Sequence, residues 1–258
     1  GGAGNVARNA AALGARAVLV GLIGGDAAGR ELAALAEEAE GLEPHLITAP
    51  DRRTTVKTRY VGGAQQLLRA DIEDLGPLEA DTAAAVRKAA EAALPDVDVV
   101  VLSDYAKGAI GSAISLAVIA RALDAGLPVI VDPKGVDYER YKGVSVLTPN
   151  AAELTAAAGM PVTTEAEIEQ AARKVMVATR SEAVIVTRGK DGVSVVEASS
   201  AAHLPVRARE VFDVSGAGDT AVAALAAALG AGAELREAAE LANAAAGVVV
   251  GKVGTAVA

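Results

Sequence analysis

The sequence predicts an α/β protein in which a mainly parallel sheet is covered on both faces by helices. Short apolar runs bounded by Gly, Asp or Pro recur along the chain, alanine-rich helical stretches alternate with them, and one Phe and no Trp leave the core aliphatic. Runs lacking polar alternation suit strands buried on both faces. Their alternation with helices is the pattern of parallel strands joined by helical crossovers.

The strand candidates are 17–23 (AVLVGLI), 97–102 (VDVVVL), 128–131 (PVIV), 144–147 (VSVL) and 183–187 (AVIVT). Helices are expected over 27–38, 81–93, 112–125, 165–179 and 233–250, where alanine favours the helix and its small size lets it lie close on the sheet. One segment departs from this rhythm. Residues 54–61 (TTVKTRYV), a Gly62-Gly63 turn and 65–73 (QQLLRADIE) read as a β-hairpin, either a flap over a site or a plain edge hairpin. With no internal repeat and no low-complexity linker, residues 1–258 are expected to form one domain with this hairpin as a lid.

Charge and composition exclude several classes of function. Lys and Arg total 24 against 33 Asp and Glu, a net charge of −9, and no basic run suggests a nucleic-acid surface. Absence of cysteine removes disulfides and thiol chemistry, and the two histidines, His45 and His203, lack metal-ligand spacing. No apolar stretch is long enough to span a bilayer. With no signal peptide in view, a cytoplasmic location is expected. The opening Gly1-Gly2-Ala3-Gly4 lacks an initiator Met, so the natural N-terminus is expected upstream.

The sharpest motif is Asp213-Val214-Ser215-Gly216-Ala217-Gly218-Asp219-Thr220, followed by an alanine-rich helix. Small residues before a helix let backbone amides converge on an anion, aided by the helix dipole. Asp219 in that first turn would take a proton from a hydroxyl attacking a phosphoryl group at the anion site. A capping Asp on a glycine turn is the competing account, and spacing leaves the two level. Gly2-Ala3-Gly4-Asn5-Val6-Ala7 with Asp26 mimics a dinucleotide fingerprint but has no strand before it. Neither a P-loop nor the protein-kinase motif set occurs. Polar clusters do follow the strand candidates: Ser103-Asp104-Tyr105-Ala106-Lys107-Gly108, Asp132-Pro133-Lys134, and Thr148-Pro149-Asn150 with Glu153. Such strand ends are where open α/β sheets bind ligands. Asn150 and Glu153 are spaced either to hold a hydrated Mg²⁺ or to form a capping box.

Together these residues resemble the ribokinase-like, PfkB-type carbohydrate kinases along the whole chain. The resemblance implies a three-layer α/β/α fold with a small β lid, and ATP and Mg²⁺ as cofactors. Its sugar-binding signature matches Gly1 to Ala7, with Gly2 and Asn5 at the substrate. Its D-x-x-G-A-G-D element matches Asp213 to Asp219, making Asp219 the base and Gly216, Ala217 and Gly218 the anion hole. The N-x-x-E element matches Asn150 and Glu153, associated with Mg²⁺ and phosphate. Thr187-Arg188-Gly189 and Gly192 match the nucleotide turn, with Asn243 near the adenine and Lys134 also on the nucleotide side. Family members carry several dozen residues before the first signature, including a first central strand, part of the lid and an Asp that grips sugar hydroxyls.

Within the family the likeness is greatest to D-glycero-β-D-manno-heptose-7-phosphate kinases, carried by 55–59 (TVKTR), 65–71 (QQLLRAD), 103–108 (SDYAKG), 132–135 (DPKG) and 251–255 (GKVGT). It implies phosphorylation at O1 to the 1,7-bisphosphate, for ADP-heptose and lipopolysaccharide core synthesis. Lys57, Arg59, Arg69 and Lys107 would concentrate positive charge for the 7-phosphate, while Asn5, Asp71 and Asp104 meet the sugar. A homodimer through the lid and a fused or separate adenylyltransferase fit the same likeness. Another PfkB sugar or nucleoside kinase, or an inactive sugar-binding relative, is the alternative.

Overall fold

The computed structural model describes residues 2–62, 65–206, 213–252, 254 and 256–258. Gly1, Gly63, Val253 and Thr255, parts of three motifs above, lie outside the described residues. The chain opens with α1 (Gly2–Ala12), so the first glycine signature is helical. Next come β1 (Ala17–Gly24), α2 (Ala27–Glu37) and β2 (Leu42–Ala49). β1 and β2 pair in parallel from Ala17–Leu42 to Gly24–Ala49 as a sheet of their own. The expected strand at 17–23 therefore forms but takes β2, not the central sheet, as its hydrogen-bonded neighbour.

The hairpin is present as β3 (Val56–Gly62) and β4 (Gln65–Ile72), antiparallel with Lys57 opposite Asp71 and Arg59 opposite Arg69. Its base is tied down by Asp26. That carboxylate caps α2 through the Gly29 amide (2.8 Å) and accepts from the Thr54 amide (2.8 Å) and hydroxyl (2.6 Å). These bonds, those from Thr54 foremost, hold the Asp26 carboxyl below its ordinary range. The acid of the dinucleotide-like pattern is thus a structural clamp.

The remainder alternates as expected: α3 (Ala80–Ala93), β5 (Val100–Ser103), α4 (Ser112–Asp124), β6 (Val129–Asp132), β7 (Val146–Leu147), α5 (Ala151–Ala158), α6 (Glu165–Thr179) and β8 (Ala183–Thr187). It closes with β9 (Val193–Glu197), β10 (Ala201–Leu204), α7 (Ala217–Gly230) and α8 (Leu235–Val249). The central sheet runs β10-β9-β8-β7-β6-β5, parallel from β5 to β8 and antiparallel through β9 and β10. Strand alternation divides its side chains between two cores. Val129, Val131, Leu147, Val184 and Val186 join Val118 and Ile119 of α4 and Ala171 and Val175 of α6. Ile130, Val146, Ile185 and Val195 face the small residues of α7 and α8 on the other side. Because β5 to β8 run parallel, their carboxyl ends lie at one edge.

Candidate active site

The Asp213–Asp219 turn delivers α7 to that edge. Gly216 is its N-cap at φ 81°, a left-handed conformation that favours glycine, and among the described residues no side chain caps the helix. First-turn amides have no carbonyl inside their own helix. Among the described residues the Ala217 amide bonds back to Val214 O at 3.2 Å. Asp213 fixes the turn from behind, accepting from the Ser215 amide at 2.8 Å and the Gly254 amide at 3.0 Å. Asp219, third residue of the helix, is not the cap.

Two partners hold Asp219. Asn5 Nδ2 donates to Oδ2 at 2.7 Å, and the Tyr105 hydroxyl donates to Oδ1. Asn5 is itself oriented, because buried Asn9 donates to its backbone oxygen at 2.9 Å and its Oδ1 at 3.4 Å. Thr220 Oγ1 donates to Asn9 Oδ1 at 3.1 Å, closing a chain from α7 through α1 and back. Asp104 is buried and anchors the loop that carries Tyr105. It accepts from the Ala106 amide (2.7 Å) and Tyr141 hydroxyl (2.7 Å) and pairs with Arg140 (2.7 Å). Gly2 lies under Tyr105, since a Cβ there would fall 1.9 Å from the ring.

Asp132, at the end of β6, is pushed up to about 7, first by burial and then by the charges of Glu153 and Asp219. The α5 capping box closes completely: Asn150 Oδ1 accepts the Glu153 amide at 2.9 Å, and Glu153 Oε2 accepts the Asn150 amide at 3.0 Å. Glu153 Oε1 takes Lys134 Nζ at 2.6 Å. Among the described residues no group of three or more His, Cys, Asp or Glu side chains is arranged to hold a metal ion alone. Glu153 with Asp132 near it suits a hydrated divalent cation, which typically takes one or two carboxylates plus substrate phosphates. Thr187 sits beside Asn150 through a parallel bridge, and its amide donates to Pro149 O at 3.0 Å. The nucleotide-turn glycines follow: Gly189 at φ 58°, and Gly192, where a Cβ would lie 2.0 Å from Leu204 O. Asn243 is buried and donates to Pro205 O at 2.9 Å, pinning the exit of β10.

The hairpin cations are partly neutralised. Asp71 pairs with Lys57 (3.1 Å) and Arg69 (2.9 Å), and Glu73 with Lys107 (2.7 Å). Arg59 stands opposite Arg69 and is near enough to Asp213 to help lower its carboxyl, after the amide bonds that dominate.

Residues 1–258 match the family described as pfkB family carbohydrate kinase. This chain belongs to the pfkB family of carbohydrate kinases. Bifunctional protein HldE of Paramagnetospirillum magneticum is 51% identical over 100% of the chain and 53% of that protein. HldE of Caulobacter vibrioides is 49% identical over 99% of the chain and 53% of its own length, so the chain spans about half of these relatives. In fold, Escherichia coli phosphofructokinase-2 in complex with potassium matches at a TM-score of 0.83, with 23% identity over 97% of this chain and 81% of that one. Arabidopsis thaliana ribokinase complexed with ribose and ATP matches at 0.76, with 25% identity over 98% and 82%.

As a pfkB kinase the chain is an ATP-dependent carbohydrate kinase, and its site holds three residues to which the sequence alone assigned no role. Tyr105 touches Asp219, Asn9 orients Asn5, and Asp213 ties the anion turn to Gly254. Asn9 carried a signal, being a polar residue four positions from Asn5 on the same helix face. Tyr105 belongs to the polar cluster after β5, but nothing local marked its partner, 114 residues away.

Proposed function

We propose that this kinase transfers the γ-phosphoryl group of ATP to O1 of D-glycero-β-D-manno-heptose 7-phosphate, giving the 1,7-bisphosphate. The observation that carries the reading is Asp219, held by Asn5 beside the uncapped first turn of α7. Asp219 Oδ1 accepts the proton from O1–H as that oxygen attacks phosphorus and the bond to ADP breaks. The Gly216 and Gly218 amides face the developing charge on the transferring group, while the Ala217 amide is bonded back to Val214 O. Glu153 and Asn150 would hold Mg²⁺ through water, and the ion, when bound, neutralises phosphate charge.

A phosphorylated sugar is favoured by the hairpin. Like charges directly opposite on paired strands repel, so Arg59 facing Arg69 is a pair that an anion would relieve. Close relatives named bifunctional HldE support the heptose acceptor, and their double length supports an adenylyltransferase elsewhere in the polypeptide. Exposed Tyr60, paired with exposed Leu68 on the hairpin, offers an apolar surface for a homodimer through the lid. Among the described residues no helix is long and apolar enough to cross a membrane, and reliance on ATP fits a cytoplasmic location.

The test is ADP release from ATP with heptose 7-phosphate, unphosphorylated heptose, fructose 6-phosphate, ribose and adenosine. The 7-phosphate is expected to lead the unphosphorylated heptose by at least ~10²-fold in kcat/KM, the discrimination available when a site's polar groups lose their partner. A higher kcat/KM for any other acceptor overturns the heptose assignment.

A further inference from the structure

The two oxygens of Asp219 are unequal. Oδ2 is taken by Asn5, whose amide is fixed by Asn9, so Oδ1 is the oxygen left for an incoming hydroxyl. The phenol of Tyr105 sits on Oδ1. It occupies the place that the acceptor hydroxyl must take if Asp219 is the base, and the inference rests on that reading.

We propose that Tyr105 is a displaceable stopper: without sugar it covers Asp219 Oδ1 and keeps water from being activated against ATP, and the acceptor hydroxyl pushes it aside.

The loop is built to present this one group. Asp104 is buried and spends both oxygens on the loop and its surroundings, through the Ala106 amide, Tyr141 and Arg140. Ala106 is left-handed at φ 53°, one of two such non-glycine residues among the described residues. The other, Arg180, ends a helix, where that conformation is common. Ala106 has no helix end to explain it, and a strained residue beside a catalytic group is a known mark of function. Gly2 leaves room for the ring, and Tyr105 remains 38% exposed, so it has somewhere to go. Burial and the neighbouring Asp219 carboxylate raise the phenol above its ordinary value, so it stays protonated and blocks without competing as a base.

The reaction suppressed is ordinary hydrolysis. A water O–H would give its proton to Oδ1, its oxygen would bond to the γ-phosphorus, and ADP would leave, yielding inorganic phosphate. A hydroxyl on Oδ1 denies water that base, whereas a sugar bound by several groups outcompetes one phenol.

The experiment compares the full polypeptide with its Tyr105→Phe variant in ATP and Mg²⁺, measuring ADP release with and without heptose 7-phosphate. The ratio of sugar-independent to sugar-dependent release should rise at least tenfold in the variant, and the acceptor KM should fall, because a competitor for Oδ1 is gone. An unchanged ratio overturns the proposal, as does a rise in KM without a change in ratio, which would make Tyr105 a plain substrate contact. A second readout is the tyrosine emission that the parent has and Tyr105→Phe lacks. A phenol bonded to a carboxylate is quenched, so heptose 7-phosphate without ATP should raise emission in the parent and leave the variant unchanged. No rise on saturation overturns the stopper. Asp219→Asn separates the two ideas: near-wild-type sugar phosphorylation there sinks the base assignment, whereas loss there with an unchanged Tyr105→Phe ratio sinks the stopper alone.

Discussion

Two helices begin at the same sheet edge with an acid at the same position, and they treat it in opposite ways. In α5 the third residue, Glu153, folds back to bond the Asn150 amide while Asn150 caps in return. In α7 the third residue, Asp219, is one methylene shorter and is drawn outward to Asn5 and Tyr105, and the helix has no side-chain cap. A good cap is worth about 0.5–2 kcal/mol, which α7 forgoes. One N-terminus is closed by its own chain and the other is left open to a ligand. Had both been closed, neither glycine spacing nor helix dipole would make a site.

The largest effect should follow from removing the proton acceptor on the open side. Asp219→Asn keeps the size of the side chain and an oxygen for Asn5, yet kcat should drop by ~10²–10⁴-fold. Glu153→Gln keeps the capping box, since Gln serves there as well as Glu. Its smaller loss should appear mainly as a higher Mg²⁺ concentration for half-maximal rate. Equal losses of kcat in the two variants at saturating Mg²⁺ would erase the distinction between the helices.

A pH series sharpens the contrast next. Asp132 lies half-buried among Glu153, Asp219 and Asp104, with Lys134 the opposing charge, and is pushed up to about 7 from 3.8. Its raised value means that the folded state holds a proton that the unfolded chain releases. The stability it contributes is full below pH ~3.8, declines through the interval and is gone above about 7. Metal-free protein should therefore lose unfolding free energy across that window, as read by urea titration. Asp132→Asn should flatten this part of the profile. A profile that is the same in both proteins would mean that the acidic edge is already screened.

Much of the fold could be read from the chain because its strands are buried on both faces. The run 183–187 and the helix 165–179 appear with the expected bounds. β2 was missed because Glu43, Pro44 and His45 interrupt its apolar pattern, as a strand in a two-stranded sheet exposed along much of its length can tolerate. The site was legible where chemistry is local. Gly216 to Asp219 is one turn, and Asn150 with Glu153 is one cap. It was not legible where function depends on partners brought together by folding. Tyr105 reaches Asp219 across 114 residues and Asn5 across 214, separations that no spacing rule covers. The hairpin cations show the same limit from the other side. Lys57 and Arg69 read as free charge for a phosphate, but strand pairing sets Lys57 opposite Asp71, and both cations are bonded to that carboxylate.

The smallest expected effect tests whether a closed N-terminus is only structure. α6 has the same box as α5: Thr164 Oγ1 accepts the Glu167 amide at 3.2 Å, and Glu167 Oε2 accepts the Thr164 amide at 3.0 Å. Thr164→Ala removes the cap and leaves a first-turn amide to water, which costs about 1 kcal/mol. Urea or thermal unfolding should show that loss, and kcat with any accepted sugar should stay within error of the parent. A change in turnover without a change in stability would mean that capping at α6 is felt at Asp219. The open end of α7 would then depend on the closed ends around it, and the contrast between the two kinds of helix start would become a coupling.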